Sequence, residues 1–449
     1  MRPKERGFMK RFFCSVLAAL LVLTTVYIRP QAADKDMVDR VIASIPEDWP
    51  SAPEISAKSA ILMDAESGEI LYAKHATDAA FPASTTKLMT ALLTLENCSL
   101  SDIVTFSAAA VLIPANSSHI GMRRGEKMVL RECLYGLLLP SANEVANALA
   151  EHTSGSIQNF VVRMNERAFK LGCVNTVFNN VNGLHRNDHY TCAYDLALIM
   201  QACIDNSSFI EISSQRSYVH HKDELLPKDI PMTNTNQMIR DTSAYYNSYV
   251  VCGKTGHTEE AGYNLVSYAE KDGTKLIVVV MGCANGDEYV STQSLLDYGF
   301  NYFHSMLPAN LDESLNMENT FTDSPLRLPT PDRPLLSINA TDTILVPDNV
   351  TFEMLEKTVT DAEGIISITY RYQGYPLCTV KLTRKSDGED NRMFKKDETV
   401  LEKETLGSVH VVDGRVLIAL MVLSFFTAGI FFFFRNMLLP KKRPGRRNR

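Results

Sequence analysis

The sequence predicts an α/β chain of the α+β type, in which a mostly antiparallel sheet with flanking helices is followed by a small β-rich domain and a C-terminal transmembrane helix. Three observations support this prediction. β-rich runs at both ends of the central region enclose several helical segments, and such runs commonly meet in one sheet with helices packed on it. A proline-rich interval separates this region from further alternating β-runs. An uncharged stretch of 19 residues then precedes a basic tail.

Length and composition are those of a globular protein. The 449 residues are enough for two or three folding units, and 45% of them are apolar while 22% are charged. The net charge of -7 is spread without an acidic or basic tract in the central region, so no nucleic-acid partner is expected. Nine cysteines include no Cys-x-x-Cys and no pair at zinc-ligand spacing. We therefore expect most of them to be small buried apolar residues, and we predict neither a metal nor a cofactor.

The N-terminal 33 residues form a predicted signal peptide or N-terminal anchor. Residues 1–11 carry five basic side chains, and an uncharged run, Phe12–Ile28, follows them. Small residues are poorly spaced around Ala32 and Ala33, so the sequence leaves open whether the segment is cleaved.

The C-terminal part predicts a membrane anchor. Residues 386–415 are predicted to form a charged stalk, and residues 435–449 a basic tail. Between them, Val416–Phe434 would be about 28 Å long as a helix, which matches the thickness of the bilayer core. Because basic residues favour the cytoplasmic side, we expect a cell-membrane protein with a single C-terminal span and its catalytic domain outside the cytoplasm.

A predicted catalytic domain covers residues 51–306. Ala57–Asp64 and Glu69–Ala73 are β-rich runs joined as a hairpin. Pro82 can open the next helix, which places Ser84 in the first turn and Lys87 on the same face one turn later.

The helix Leu130–Leu139 is stopped by Pro140, and another helix begins within residues 141–150, so Ser141 and Asn143 lie at a helix junction. Further helices are predicted over Phe160–Leu171 and Thr191–Cys203, and strands over Tyr249–Thr258, Tyr263–Lys271 and Thr274–Cys283.

The chain changes character after residue 306. Prolines crowd a predicted linker at residues 307–330, and a small β-rich domain is predicted over residues 331–385. Its strands are expected at Thr343–Val346, Ile365–Tyr372 and Pro376–Leu382.

Three short motifs occur in a fixed order. They are Ser84-x-x-Lys87 at a helix start, Ser141-x-Asn143 at a helix junction and Lys254-Thr255-Gly256 on a strand. A lone Ser-x-x-Lys has little meaning, because a chain of this size contains one or two by chance. The ordered set in these structural contexts is specific for penicillin-binding proteins and class A β-lactamases.

With these motifs the chain resembles the D-alanyl-D-alanine carboxypeptidases among the low-molecular-mass penicillin-binding proteins, serine peptidase family S11, over Ala57–Tyr302. The resemblance extends to the segments Asn182-Gly183-Leu184, Thr233-Asn234-Thr235-Asn236 and Gly262-Tyr263. It implies a penicillin-binding or β-lactamase-like domain, the small β-rich domain and the membrane-anchoring tail.

The resemblance implies three catalytic residues. Ser84 would attack the carbonyl of the penultimate D-alanine and form an ester acyl-enzyme. Lys87 can accept the proton of Ser84 only as a neutral amine, a state that burial beside Lys254 favours. Ser141 would relay that proton to the leaving amine.

Five further residues are implied to bind the substrate. Asn143 would hold the lysine base and a substrate amide. Lys254 and Thr255 suit the terminal carboxylate, as a point charge and a hydroxyl donor. Gly256 would let the substrate backbone lie against the strand, and the backbone N–H of His257 would complete an oxyanion hole with that of the nucleophile.

The expected substrate is the peptidoglycan stem peptide, and β-lactam antibiotics are the expected inhibitors. A D,D-endopeptidase, a β-lactamase and a non-catalytic wall-binding protein remain as alternatives. A β-lactamase is disfavoured because Glu211 and Glu224 lack the context of a deacylating glutamate. His220-His221-x-Asp223 lacks a ligand framework and is expected to be a solvated loop.

Overall fold

The structure, a computed structural model, describes residues 34–312, 336–338, 342–362 and 365–384. The predicted N-terminal segment, stalk, transmembrane helix and basic tail lie outside these residues, as does most of the predicted linker. Within the described ranges, none of the helices combines the length and the apolar character that crossing a bilayer requires.

A five-stranded antiparallel sheet forms the centre of the fold, in the order β2-β1-β9-β8-β7. Its strands are Ser59–Asp64 (β1), Ile70–Lys74 (β2), Val250–Thr258 (β7), Gly262–Lys271 (β8) and Thr274–Cys283 (β9). Because β1 pairs with β9, the first and last strands of this sheet in chain order meet, as the sequence predicted. Strand β7 lies at the edge of the sheet.

The described helices mostly fall between the two halves of this sheet. They are Lys35–Ala43 (α1), Lys87–Asn97 (α2), Leu130–Leu138 (α3), Asn143–Ser154 (α4), Ile157–Lys170 (α5), Ala193–Ile204 (α6), Ser207–Ser213 (α7), Asp287–Tyr302 (α8) and Pro308–Leu311 (α9). Short strand pairs join Ile103–Thr105 (β3) to Lys127–Val129 (β4) and Ser217–His220 (β5) to Ile230–Thr233 (β6).

The two faces of the sheet have separate cores, and strand β9 shows why. Successive side chains of a strand point to opposite faces. Ile277 and Val279 pack into the core that contains the helices between β2 and β7. Leu276 and Val278 pack into a second core with α8. The continuous apolar run of β9 thus reflects a strand that is buried on both faces.

The predicted small β-rich region contains a four-stranded sheet, in the order β11-β15-β14-β13. Its strands are Leu336–Ile338 (β11), Glu356–Ala362 (β13), Ile365–Tyr372 (β14) and Tyr375–Arg384 (β15). Ile344–Pro347 (β12) pairs instead with Phe303–Met306 (β10), directly after α8.

The single tryptophan links the small sheet to the catalytic domain. The Trp49 ring contacts the rings of Phe303 and Tyr375, each at 5.5 Å between centroids. The hydroxyl of Tyr375, itself fully buried, donates to the backbone oxygen of Ile70 at 2.7 Å. The segment before the predicted catalytic domain therefore carries helix α1 and a residue that packs on both sheets.

Candidate active site

Ser84 and Lys87 lie together at the start of α2. Pro82 leads into a 3-10 turn, Ala83–Thr86, and the α-helix begins only at Lys87. This differs from the predicted helix start at Pro82, but the spacing still places both side chains on one face. Lys87 Nζ lies 2.9 Å from Ser84 Oγ.

Lys87 is fully buried and surrounded by oxygen atoms. Its Nζ lies 2.8 Å from Asn143 Oδ1 and 2.5 Å from the backbone oxygen of Asn182. These two oxygens can only accept hydrogen bonds. A neutral amine has two N–H groups and one lone pair, so it can donate to both oxygens and keep the lone pair for the hydroxyl proton of Ser84. The contacts of Lys87 are therefore compatible with a neutral amine whose lone pair faces the Ser84 hydroxyl.

The charges around Lys87 favour this neutral form. Burial is the main cause that lowers its pKa well below the usual range, and the neighbouring Lys254 lowers it further. The Glu144 carboxylate opposes this shift. One Glu144 oxygen accepts the backbone N–H groups of Ile120 and Gly121 at 2.8 and 3.0 Å, which ties that carboxylate to the neighbouring loop.

Ser141 occupies the junction between α3 and α4, as predicted. Its φ of +66° lies in the left-handed region, which is sparsely populated by residues other than glycine. The side chain is 3% exposed, and within the described part of the chain its Oγ has no hydrogen-bond partner. A strained backbone and an unpaired buried hydroxyl are features that cluster at functional sites.

Lys254 and Thr255 lie on the edge strand β7. Lys254 is buried, its Nζ donates to the backbone oxygen of Thr255 at 2.9 Å, and burial lowers its pKa to about 7. Thr255 Oγ1 lies 2.6 Å from Thr235 Oγ1. The side chain of Thr255 therefore belongs to a pair of hydroxyls that can donate to one carboxylate.

Gly256 and His257 follow on the same strand. A Cβ on Gly256 would lie 2.8 Å from the backbone oxygen of Pro82 and 3.1 Å from the backbone nitrogen of Ser84. The absence of a side chain on Gly256 therefore lets the segment around Ser84 pack against the strand. The sequence had predicted glycine here only as room for a substrate backbone. The exposed ring of His257 stacks on Tyr263 at 4.0 Å between centroids.

These elements surround a cleft of about 400 Å³. Lys87 and Lys254 are buried next to it. The other predicted site residues all line it, namely Ser84, Ser141, Asn143, Thr255, Gly256 and His257.

The sequence did not indicate a role for Asn264. In the structure its side chain fixes the segment Phe81–Pro82, just before Ser84. Its Nδ2 donates to the backbone oxygens of Phe81 and Pro82 at 2.9 and 3.1 Å, and its Oδ1 accepts from the N–H of Gly282 at 2.9 Å. The signal in the sequence is an asparagine directly before the apolar pair Leu265 and Val266 of a predicted strand. Thr235 and Asn182 belong to segments that carried the family resemblance, but neither was assigned a role.

The histidine pair of the predicted solvated loop is only partly solvated. His220 ends β5, is 4% exposed and lies 3.2 Å from a carboxylate oxygen of Glu132, whereas His221 is exposed. Asp223 accepts the backbone N–H groups of its own turn. Among the described residues, these side chains do not form a group of metal ligands.

Penicillin-binding proteins and serine β-lactamases share this order of Ser-Lys, Ser-Asn and Lys-Thr-Gly motifs, and the cleft beside an antiparallel sheet places the chain in their class. The model of the Peptidase_S11 family, D-alanyl-D-alanine carboxypeptidase, matches residues 47–285. The chain therefore belongs to the D-alanyl-D-alanine carboxypeptidase family.

Individual relatives agree with this assignment. The chain is 32% identical over 305 residues to the D-alanyl-D-alanine carboxypeptidase DacF of Bacillus subtilis, which covers 66% of this chain and 72% of that protein. It is 30% identical over 342 residues to DacA of Escherichia coli, covering 74% and 79%. Penicillin-binding protein 5 of Haemophilus influenzae superposes with a TM-score of 0.59 at 27% identity, covering 75% of this chain and 98% of that one. The Haemophilus influenzae protein shares the antiparallel α+β architecture described above.

Proposed function

We propose that the protein is a serine-type D-Ala-D-Ala carboxypeptidase, which removes the terminal D-alanine from peptidoglycan pentapeptide stems through an acyl-enzyme on Ser84. The observation that carries this proposal is the 2.9 Å contact between Ser84 Oγ and the buried Lys87 amine. Family membership and the activity named for the relatives support the choice of substrate.

Acylation would begin with transfer of the Ser84 hydroxyl proton to neutral Lys87. Ser84 Oγ then attacks the carbonyl carbon of the penultimate D-alanine, and the carbonyl oxygen becomes an oxyanion. By family resemblance, the backbone N–H groups of Ser84 and His257 stabilise that charge. The close approach of Gly256 to the Ser84 nitrogen supports this role, because His257 is the next residue of the strand.

Ser141 would carry the proton onward. Its unpaired hydroxyl can accept a hydrogen bond from protonated Lys87 and donate its own proton to the amine of the leaving D-alanine. The C–N bond then breaks and leaves an ester on Ser84. A water molecule that loses its proton to neutral Lys87 can hydrolyse this ester and restore the free serine.

The terminal carboxylate would bind at β7. Lys254 in its charged form supplies a positive charge, and the hydroxyls of Thr255 and Thr235 supply donors. Thr235 extends the predicted carboxylate site by one residue. A carboxypeptidase requires such a site, because it must distinguish a chain end from an internal bond. β-Lactams, which carry a carboxylate beside a reactive amide, would acylate the same serine.

We further propose that the enzyme acts outside the cytoplasm, at the membrane. The uncharged segment Val416–Phe434 and the basic tail after it support this location. Protease treatment of intact cells should remove the catalytic domain and leave a short tail fragment. Full protection of the catalytic domain in intact cells would contradict the proposal.

The activity is tested with a soluble pentapeptide that ends in D-Ala-D-Ala, by measuring free D-alanine. The wild type should release D-alanine, and Ser84→Ala should reduce the rate by at least about a thousandfold. Ser294→Ala, a surface serine whose Oγ donates to its own helix, is the matched control and should keep the wild-type rate. No release by the wild type, or equal release by Ser84→Ala, would contradict the proposal.

A further inference from the structure

Three potential metal ligands converge on the surface of the helical region, away from the cleft. Cys98 Sγ, an Asp102 carboxylate oxygen and a His152 ring nitrogen all lie within 4.8 Å of one another. The His152 Nε2 to Asp102 Oδ2 distance is 3.3 Å. Ligand atoms about 2.0–2.3 Å from a tetrahedral zinc ion stand roughly 3.3–3.7 Å apart, so small side-chain movements would allow all three to bind one ion.

We propose that Cys98, Asp102 and His152 form a binding site for a zinc-class divalent ion, with solvent as the fourth ligand. A thiolate, an imidazole and a carboxylate are the donor set that zinc prefers among biological divalent ions. The thiolate and carboxylate together neutralise the two charges of the ion.

The ends of two helices favour a cation at this point. Cys98 is the C-cap residue of α2, and His152 lies in the last turn of α4. The C-terminus of a helix carries a partial negative charge, which stabilises nearby cations. Because Cys98 and His152 approach each other, two such termini meet at the proposed site.

The backbone around the third ligand is already fixed. The Ser99 N–H donates to Asp102 Oδ2 at 3.1 Å, which helps to orient the carboxylate. The backbone N–H of Asp102 donates to the backbone oxygen of Ser99 at 3.0 Å. The backbone oxygen of Asp102 accepts from the N–H of Leu130 at 2.8 Å. The ligand therefore comes from an ordered turn.

One cation lies nearby. Arg163 donates to the side chain of Asn97 and to the backbone oxygen of Thr153, the residues next to two of the ligands. Its charge opposes metal binding through repulsion, so the two anionic ligands are needed for affinity. Loss of either should weaken the site strongly.

The site would clamp the two helices that carry the catalytic residues. Lys87 begins α2 and Asn143 begins α4, and their side chains are hydrogen-bonded at 2.8 Å. The metal would join the same helices at their opposite ends. Since α2 has 11 residues, the clamp lies about 16 Å from Lys87, so the ion would take no direct part in the proposed peptidase chemistry.

Cobalt(II) titration of the reduced full chain in detergent tests the site. A thiolate-to-cobalt charge-transfer band and intense visible bands of tetrahedral cobalt should saturate at one equivalent, and zinc should displace the cobalt. Cys98→Ser should abolish the charge-transfer band. Asp102→Asn and His152→Gln should each weaken binding by more than about tenfold, since even outer-shell changes at zinc sites reach that size.

Two variants serve as controls. Cys14→Ser removes a thiol outside the described residues, and His75→Gln removes an exposed histidine that pairs with Asp78 without a cysteine; both should bind cobalt like the wild type. All ligand variants should still be acylated by penicillin at the wild-type rate, which shows that they are folded. Absence of the charge-transfer band in the wild type, or its persistence in Cys98→Ser, would overturn the proposal.

Discussion

Gly183 touches the backbone of Ala83, the residue before the nucleophile: a Cβ on Gly183 would lie 1.8 Å from the Ala83 oxygen and 2.9 Å from the Ser84 nitrogen. The φ of Gly183 is +88°, so its backbone also favours glycine. Asn182, the preceding residue, supplies the carbonyl that accepts from Lys87. One tight turn therefore positions both Ser84 and Lys87, the proposed nucleophile and base.

Gly183→Ala should displace the nucleophile. We expect a loss of at least about 2–3 kcal/mol in the free energy of unfolding, from the clash and the backbone strain together. Penicillin acylation should fall by at least about a hundredfold, because small misplacements of reacting groups have effects of that size. Denaturant unfolding and the acylation rate measure the two effects.

Gly155→Ala is the matched control for this prediction. Gly155 also has a positive φ, +74°, at the end of α4, but a Cβ there would meet nothing within 4 Å. It should cost only about 1 kcal/mol and leave acylation unchanged. Equal acylation rates in Gly183→Ala and Gly155→Ala would show that the turn does not position the nucleophile.

The rate of acylation should depend on pH in a bell shape. Burial and Lys254 lower the pKa of Lys87, which favours the neutral amine that the attack requires. The amine takes up a proton as the pH falls through this lowered pKa, and the rate should then drop in acid. Lys254 binds a carboxylate only when charged, and its pKa of about 7 predicts a second drop toward alkaline pH. The two apparent pKa values of such a rate profile would describe Lys87 and Lys254 as a coupled pair.

Lys254→Gln separates the two limbs. It should bind substrate more weakly and lose the alkaline drop, while the acid limb of Lys87 shifts but persists. The measurement is the second-order rate constant of penicillin acylation across the pH range. A profile that stays flat from mildly acidic to alkaline pH, in a protein that remains folded, is incompatible with neutral Lys87 as the base.

Ser141→Gly should increase stability while it reduces activity. Glycine adopts the φ of +66° without strain, and the unpaired buried hydroxyl disappears. We expect a gain of about 1 kcal/mol in the free energy of unfolding. The loss of the proton relay should slow acylation by about a hundredfold or more.

Asp272→Gly is the comparison for Ser141→Gly. Asp272 also has a positive φ, +50°, in the turn between β8 and β9, far from any assigned chemistry. It should gain similar stability and keep the wild-type acylation rate. If Ser141→Gly is acylated at the wild-type rate too, the relay is not needed.

Glu69 should make the protein less stable as the pH rises. The side chain is 4% exposed, and neither carboxylate oxygen has a hydrogen-bond partner among the described residues. Burial, with a smaller effect of Asp64, raises its pKa well above the ordinary 4.5. The folded chain therefore holds a proton that the unfolded chain releases above pH 4.5. The stabilisation is complete below that pH and is lost as the pH rises through the folded pKa.

Glu69→Gln removes this titration. Its free energy of unfolding should exceed that of the wild type at neutral pH and approach it in acid. The wild-type value should fall by up to about 1.4 kcal/mol per pH unit within the window. Trp49 provides the fluorescence signal, because its ring contacts Tyr375, and Tyr375 and Glu69 line the same cavity. Glu166→Gln, a change at an exposed glutamate, is the control and should leave the pH dependence of the free energy of unfolding as in the wild type. If Glu69→Gln were as pH-dependent as the wild type, Glu69 would not be the titrating group.

Local patterns predicted the central sheet and most helices, because apolar periodicity and turn residues act within a few positions. The hairpin formed by Ala57–Asp64 and Glu69–Ala73 and the helix end before Pro140 are of this kind. Ser84 and Lys87 were also predictable, since three positions in a helix bring side chains together. Their partners on α4 and β7 followed from known motif order rather than from physical spacing.

The remaining features depend on long-range contacts. Lys87 donates to the backbone oxygen of Asn182. Every residue has a backbone carbonyl, so the sequence cannot show which one serves as the partner. Thr235 reaches Thr255 from a different segment, and the left-handed φ of Ser141 occurs in a residue type that seldom adopts it. Cys98 and His152 are 54 positions apart, so no spacing rule finds them.

The central claim, that Ser84 is the nucleophile, is tested most directly by mass spectrometry of the full chain after incubation with benzylpenicillin. The intact mass should increase by one penicillin molecule, and peptide mapping should place the adduct on Ser84. Ser84→Ala should carry no adduct, and Ser294→Ala should be modified like the wild type. An unmodified wild type, or an adduct that persists in Ser84→Ala, would contradict the account.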